Sequence, residues 1–160
     1  MKILFRALIA IAIALLTATA FADSEAVFER KLAQAEAGSL EAQYDVGYRY
    51  EKGRGVDEDP EQAFKWYLKA ADQGLDTAQY KVGICYLEGS GVDPKPEQAK
   101  AWLQKAADQG YPPAQYHLGK LYADTRAPNY DQALAWLEKA KQNGYEPATR
   151  EIIRVKRQAD

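Results

Sequence analysis

The apolar and small residues of this chain recur in a fixed order, separated by polar stretches of similar length. The segment W-Y-L-K-A-A-D-Q-G-L-D-T-A begins at Trp66, and close copies of it begin at Trp102 and Trp136. The steps between the copies are 36 and 34 residues. No stretch shows the sustained alternation of apolar and polar residues that is typical of a strand. A period of this size therefore predicts stacked helical repeats.

Turn and capping residues divide each repeat into two predicted helices. The first helix is predicted over residues 40–52, and it ends at Gly53 because glycine accepts the positive φ of a helix end. The second helix begins at Pro60, takes Asp59 as its cap and stops at Gly74. The equivalent starts and stops are Pro96 with Gly110 in the second repeat, and Asn129 with Gly144 in the third.

Glycines and tryptophans at fixed positions predict how the helices pack. Gly47, Gly83 and Gly119 fall in the middle of the first helices. Glycine there costs about 0.5–1 kcal/mol relative to alanine, so we expect a neighbouring helix to approach closely at these points. The three tryptophans are assigned to the core, between the paired helices, because aromatic residues at helical spacing usually serve packing.

The complete unit reads A-Q-Y-x-V-G-x-x-Y-x-x-G-x-G-V, then a short acidic linker, then E-Q-A-x-x-W-Y-x-K-A-A-D-Q-G. This unit resembles the Sel-one-like repeat family, a relative of the tetratricopeptide repeat, over about residues 38–148. The third copy lacks the G-x-G-V loop and is two residues shorter. The resemblance implies an all-α fold, a right-handed α-solenoid of stacked antiparallel helix pairs with about three repeats and a capping helix at each end.

The first 22 residues have the pattern of a cleavable signal peptide. Lys2 and Arg6 precede an apolar core at residues 7–16, and Ala20-Phe21-Ala22 is a cleavage signal of small residues. We expect cleavage after Ala22 and a periplasmic or secreted protein with no stable membrane anchor after cleavage. The mature chain would carry 19 basic and 23 acidic residues, a formal charge of −4, and no basic stripe that would indicate nucleic-acid binding.

The remaining residues divide into repeats and caps. Residues 23–38 are predicted to form an N-terminal capping half-repeat and residues 148–160 a C-terminal capping helix. Ile152, Ile153 and Val155 are expected to form the buried side of that last helix. The three repeats are assigned to residues 39–74, 75–110 and 111–147.

The chain offers few residues for catalysis or metal binding. The single histidine, His117, aligns with Asp45 and Lys81, so we expect it to face solvent, and a lone histidine cannot build a multi-histidine metal site. The single cysteine, Cys85, is either a buried apolar residue or a thiol available for intermolecular pairing. We therefore predict no enzymatic activity, no catalytic residues, no cofactor and no metal.

A candidate binding surface follows from the first helices, which line the concave face of tetratricopeptide-type solenoids. The resemblance implies the same arrangement here. Residues spaced at i, i+4 and i+7 share one stripe of a helix. The predicted partner-binding residues on these stripes are Tyr44, Tyr48, Tyr80, Ile84, Leu87, Tyr116 and Lys120. For Tyr44, Tyr80 and Tyr116, packing between adjacent repeats is an equal alternative.

These observations favour a periplasmic protein–protein interaction module, an adaptor or regulator that binds a protein or peptide on its concave surface. One alternative is an immunity protein that neutralises a secreted toxin, such as a type VI phospholipase effector. A third alternative is a cell-wall-active enzyme or a glycan or β-lactam binder. The identity of the partner and the oligomeric state stay open.

Overall fold

The computed structural model describes residues 24–125 and 127–159, which form eight α-helices and no strand. The predicted signal peptide and its cleavage site lie outside these residues. The helix α1 covers residues 24–36. The others are α2 (Leu40–Lys52), α3 (Pro60–Asp72), α4 (Asp76–Glu88), α5 (Pro96–Asp108), α6 (Pro112–Ala123), α7 (Tyr130–Gln142) and α8 (Pro147–Ala159).

Each helix from α2 onwards packs against the next one along the chain, and α6 also contacts α8. The helices α2, α4 and α6 are the first helices of three repeats, and α3, α5 and α7 are the second helices. The helix α1 takes the place of a second helix, and α8 that of a first helix. The architecture is the right-handed α-solenoid of antiparallel pairs that the sequence predicts.

The capping residues act as the sequence predicts. The helix α2 ends at Gly53, whose φ of 60° is left-handed and whose N–H donates to the carbonyl of Arg49. The side chain of Asp59 accepts a hydrogen bond from the N–H of Gln62 at 3.0 Å, which fixes the start of α3. Asn129 caps α7 in the same way, accepting from the N–H of Gln132 at 3.0 Å.

The mid-helix glycines are sites of close helix contact, as predicted. A Cβ added to Gly83 would lie 2.7 Å from Cγ of Leu103 and 3.3 Å from the carbonyl oxygen of Ala99. A Cβ added to Gly47 would lie 2.7 Å from the Tyr67 ring, and a Cβ added to Gly119 would lie 2.7 Å from Cγ of Leu137. Because a real side chain could not fit at 2.7 Å without a shift, the glycines set the spacing within each pair.

The tryptophans pack between successive repeats as well as between the two helices of one repeat. Trp66 is 8% exposed and belongs to a cluster with Phe28 and Ala35 of α1 and Val46 of α2. Trp102 and Trp136 are only half-buried. A lysine three residues later covers each indole ring, with Nζ to centroid distances of 3.6, 3.7 and 4.0 Å for Lys69, Lys105 and Lys139.

A recurring pair of amide side chains joins the units, and the sequence analysis missed it. Gln43 is buried, and its Nε2 donates to the carbonyl of Ala35 at the end of α1 at 3.1 Å. Its Oε1 accepts from Nε2 of Gln73 at 2.7 Å. The same arrangement recurs at Gln79 with Gln109 and at Gln115 with Asn143. These bonds satisfy buried amides that would otherwise cost free energy on burial.

The G-x-G loops of the first two repeats fit against the start of the preceding second helix. A Cβ on Gly91 would collide with the carbonyl of Pro60, and a Cβ on Gly55 with the carbonyl of Ser24. The shorter third loop lacks this glycine. A cavity of about 300 Å³ lies beside it, lined by residues that include Pro96 and Tyr122.

The closing helix α8 differs from the prediction at one residue. Ile152 and Val155 are buried as expected, but Ile153 is 50% exposed, so its assignment to the buried side was wrong. Ile153 stands at the position of Gly47, Gly83 and Gly119, whose face meets a second helix in the earlier pairs. In α8 that face is covered by no helix of residues 24–125 and 127–159. Among the described residues, no helix is both long and apolar enough to cross a membrane.

Candidate protein-binding site

The first tyrosine of each first helix packs on an aromatic ring of another element. The ring centroid of Tyr44 lies 5.3 Å from that of Tyr67 in α3. Tyr80 lies 5.3 Å from Tyr111, and Tyr116 lies 5.2 Å from Tyr145. All three first-helix tyrosines are half-buried, so they contribute to packing and also keep an accessible surface.

His117 joins two of these tyrosines and does not face solvent freely, so that expectation was wrong. Its ring centroid lies 5.5 Å from that of Tyr80 and 5.5 Å from that of Tyr116. Its Nε2 is 3.3 Å from the Tyr80 hydroxyl. The alignment with Asp45 and Lys81 was misleading, because the environment of position 117 is aromatic. The connected rings, which we name the aromatic row, are Tyr111, Tyr80, His117, Tyr116 and Tyr145.

Three members of the aromatic row were absent from the predicted site: Tyr111, His117 and Tyr145. The sequence carries a signal for the two tyrosines. Leu75, Tyr111 and Tyr145 each follow the glycine that ends a second helix, with the same steps as the tryptophans. The spacing alone does not show that the two tyrosines contact Tyr80 and Tyr116.

Burial favours the neutral forms of Tyr80 and His117 in the aromatic row. Burial is the main cause that raises the pKa of Tyr80, to about 12, with the neighbouring Tyr145 and Tyr111 hydroxyls adding to it. Burial, followed by the nearby charge of Lys120, lowers the pKa of His117. The row therefore presents neutral rings with polar edges, the kind of surface that tyrosine-rich protein interfaces use.

The other predicted residues lie one or two turns further along the first helices and have different surroundings. Tyr48, Ile84 and Lys120 occupy equivalent positions on successive first helices and are half-buried. The guanidinium of Arg54 lies 5.0 Å from the Tyr48 ring centroid, and Lys120 Nζ lies 5.8 Å from that of Tyr116. Ile84 and Leu87 pack against the cluster around Leu103.

A polar cluster stands where α2, α3 and α4 meet. The hydroxyl of Tyr67 donates to Oε2 of Glu51 at 2.6 Å, and Nζ of Lys81 donates to the same oxygen at 2.7 Å. Lys52 pairs with Oε1 at 2.8 Å. Burial opposes the charge of Glu51, but the hydrogen bonds from Lys52, Lys81 and Tyr67 together hold its pKa at about 2. The carboxylate is therefore satisfied within the fold.

Cys85 lines a cavity of about 290 Å³ beside this cluster, together with Ile84 and Glu88. The thiol is 8% exposed, and burial raises its pKa to about 11. A thiol that stays protonated is a poor nucleophile. In residues 24–125 and 127–159, no three His, Cys, Asp or Glu side chains are grouped so that they could hold a metal ion.

The paired helices, the glycine contacts and the repeated caps define a helical-repeat protein. The chain belongs to the Sel1 repeat family, which is the Sel-one-like family that its repeated unit resembles. The Sel1 repeat model matches residues 40–75, 76–111 and 112–145. Sel1 repeat folds generally mediate protein–protein interaction and are typically non-catalytic.

Solved structures of the same fold include a Sel1 repeat protein from Oxalobacter formigenes. It has 36% identity and a TM-score of 0.69, and the match covers 72% of this chain and 48% of that one. A protective antigen of uropathogenic Escherichia coli with an SLR fold has 35% identity and a TM-score of 0.70, with 73% and 26% covered. The chain thus matches less than half of the length of either protein.

A more distant likeness is to an immunity protein from Pseudomonas aeruginosa, with 23% identity and a TM-score of 0.43, over 78% of this chain and 60% of that one. No curated protein sequence matches the chain.

Proposed function

We propose that this protein is a periplasmic adaptor or regulator that binds a protein or peptide partner on the concave face formed by its first helices. The observation that carries this proposal is the aromatic row. Five rings are linked by centroid distances of 5.2–5.5 Å, and all five are half-buried.

The aromatic row has the properties of an interface anchor. Tyrosine offers a large contact area with few rotatable bonds, so little conformational entropy is lost when a partner binds. The rings are held in place by their mutual contacts, and a preorganised surface avoids part of the ordering cost of association. The predicted residues Tyr48, Ile84 and Lys120 extend this surface along the three first helices.

Binding to a periplasmic partner requires export, which the first 22 residues support. We expect the mature protein to begin at Asp23. Sequencing of the N-terminus of protein recovered from the periplasm checks this expectation. Recovery of a chain that retains Met1 in the membrane fraction would contradict it.

A pull-down from periplasmic extract tests the proposed surface. The double variant Ile84→Glu with Lys120→Glu changes the predicted face, and the control variant Lys65→Glu with Ala101→Glu changes exposed positions on second helices. The wild type and the control should recover the same partner, and the first variant should lose it. Equal recovery by all three proteins would exclude the first-helix face. Recovery of a secreted toxin as the partner would favour the immunity alternative.

A further inference from the structure

Among the described residues, no helix packs on the face of α8 that corresponds to the place where the earlier first helices meet a second helix. In the first pair, Tyr67 of α3 packs against the equivalent face of α2. The Tyr67 ring lies 5.3 Å from that of Tyr44, and its hydroxyl lies 2.6 Å from Glu51. A Cβ on Gly47, between them, would lie 2.7 Å from the same ring.

The corresponding positions of α8, three repeat steps later, are Arg150, Ile153 and Arg157. All three are exposed, and Ile153 is the one large apolar side chain with that degree of exposure among the described residues. The face is therefore an apolar side chain between two cations. This face is positively charged, whereas the chain as a whole has a formal charge of −2.

Among the described residues, the cations of this face have no ion-pair partner. Within the described part of the chain, the ion pairs of α8 involve Arg154, with Asp124 and Glu151, and Lys156, with Glu138. Neither Arg150 nor Arg157 makes an ion pair there. Both side chains are exposed, and an arginine guanidinium group can pair with carboxylates of another molecule.

A second helix packed as in the earlier repeats does not fit on this face of α8. The regular contact requires glycine, since even a Cβ at Gly83 would come within 2.7 Å of Leu103. Ile153 stands at that position and forces a partner helix to a greater distance. A second copy of this chain is also disfavoured, because α1 carries Lys31 at the position of Tyr67 and would set a cation against Arg150 and Arg157.

We propose that the face formed by Arg150, Ile153 and Arg157 binds an acidic amphipathic helix of a partner protein. One apolar residue of that helix covers Ile153, and carboxylates one turn to either side pair with the two arginines. Arg150 occupies the repeat position of Tyr80 and Tyr116, but this face lies on α8 and contains no ring of the aromatic row, and the proposal goes beyond the function argued above. Arginine forks bind carboxylates in a defined geometry, so charge and position together give selectivity.

The test uses the mature chain and a fluorescent synthetic helix of about 20 residues, a length at which an alanine-rich helix is stable enough to use as a probe. The probe carries one leucine with glutamates one turn before and after it, and a matched probe carries lysines instead. Fluorescence anisotropy should show saturable binding of the acidic probe that weakens as salt is added. The lysine probe should not bind.

Two variants give this test its control. Arg150→Glu with Arg157→Glu should weaken binding of the acidic probe at least tenfold, or about 1.4 kcal/mol. Arg30→Glu with Lys65→Glu makes the same change of charge on exposed positions of α1 and α3 and should bind the probe as the wild type does. Circular dichroism melts establish that both variants remain folded.

Three results would overturn the proposal. The first is equal binding of the acidic probe to wild type and both variants, or binding to none of them. The second is binding to vesicles containing anionic lipid but not to the peptide, which would identify a membrane surface as the occupant. The third is concentration-dependent self-association in sedimentation that Ile153→Glu abolishes, which would identify a second copy.

Discussion

The first helices of the first and second repeats are joined by an ionic contact, whereas those of the second and third repeats are joined by an aromatic one. At the first junction, Lys81 of α4 donates to Glu51 of α2 at 2.7 Å. At the second, position 117 of α6 is the equivalent of Lys81, and its histidine contacts Tyr80 of α4 at 3.3 Å. The backbone frame is the same, and α4 takes part in both junctions.

This difference shows that substitutions at neighbouring positions are coupled. Glu51 corresponds to Leu87 in the second repeat, and Tyr67 corresponds to Leu103. The first pair buries a hydroxyl and provides a carboxylate to accept its hydrogen bond. The second pair buries a leucine and has no carboxylate at the matching place, so a lysine at position 117 would lack the partner that Lys81 has.

The largest effect is expected from Gly83→Leu, because α4 belongs to both junctions. The added side chain would overlap Leu103 and Ala99, and overpacking of this kind costs typically about 1–3 kcal/mol or more. A thermal melt should show a large loss of stability or an unfolded protein. Ala135→Leu, at an exposed position of α7, is the control and should change the melt little. An unchanged melt for Gly83→Leu would show that the two helices can separate without cost.

A smaller effect is expected when the first pair is converted towards the second. Glu51→Leu leaves the Tyr67 hydroxyl and Lys81 without their acceptor, and an unsatisfied buried group costs about 1–3 kcal/mol. Adding Tyr67→Leu removes the stranded hydroxyl and should recover part of the loss. Urea unfolding of both single variants and the double variant measures this coupling. Strictly additive losses would show that the hydroxyl and the carboxylate do not act as a pair.

In acid, the two junctions should weaken in different pH ranges. The pKa of Glu51 is depressed to about 2, so its contribution to stability is present above the ordinary value of 4.5 and is lost as the pH falls through about 2. The pKa of His117 is also lowered, but histidine is charged when protonated. Its contribution is present above the ordinary value of 6.5 and is lost as the pH falls below it.

The His117 effect is the smallest and is measured by comparison with His117→Phe. The wild type should lose stability between pH 7.5 and pH 5.5, and the variant should lose less, since it has no proton to bind at this site. Urea unfolding at the two pH values gives the comparison. If the stability of the variant falls as steeply as that of the wild type, groups other than His117 cause the pH dependence.

The sequence predicts the helices and the repeats of this molecule well because both depend on local signals. The cap at Asp59, the glycine at position 53 and the period of the tryptophans are each readable from residue type and spacing. The close contact at Gly83 was predicted for the same reason, since a mid-helix glycine has a cost that packing must offset.

The candidate site was less predictable because it depends on contacts between elements that are far apart in the chain. Alignment assigned His117 to solvent, but Tyr80 and Tyr116 cover it from two helices. Ile153 follows an apolar pattern that suggests burial, but no described helix covers it and it is exposed. Both errors have one cause, because an aligned position keeps its backbone while the side chains around it change.

Site-specific photo-crosslinking tests most directly whether the first-helix face binds the partner. A photoreactive amino acid is placed at Tyr48, Ile84 or Lys120 on the first helices, or at the exposed positions Lys65, Ala101 or Ala135 on the second helices. On irradiation in living cells, the first set should crosslink to a common protein and the second set should not. Crosslinks from the second set alone would contradict the account.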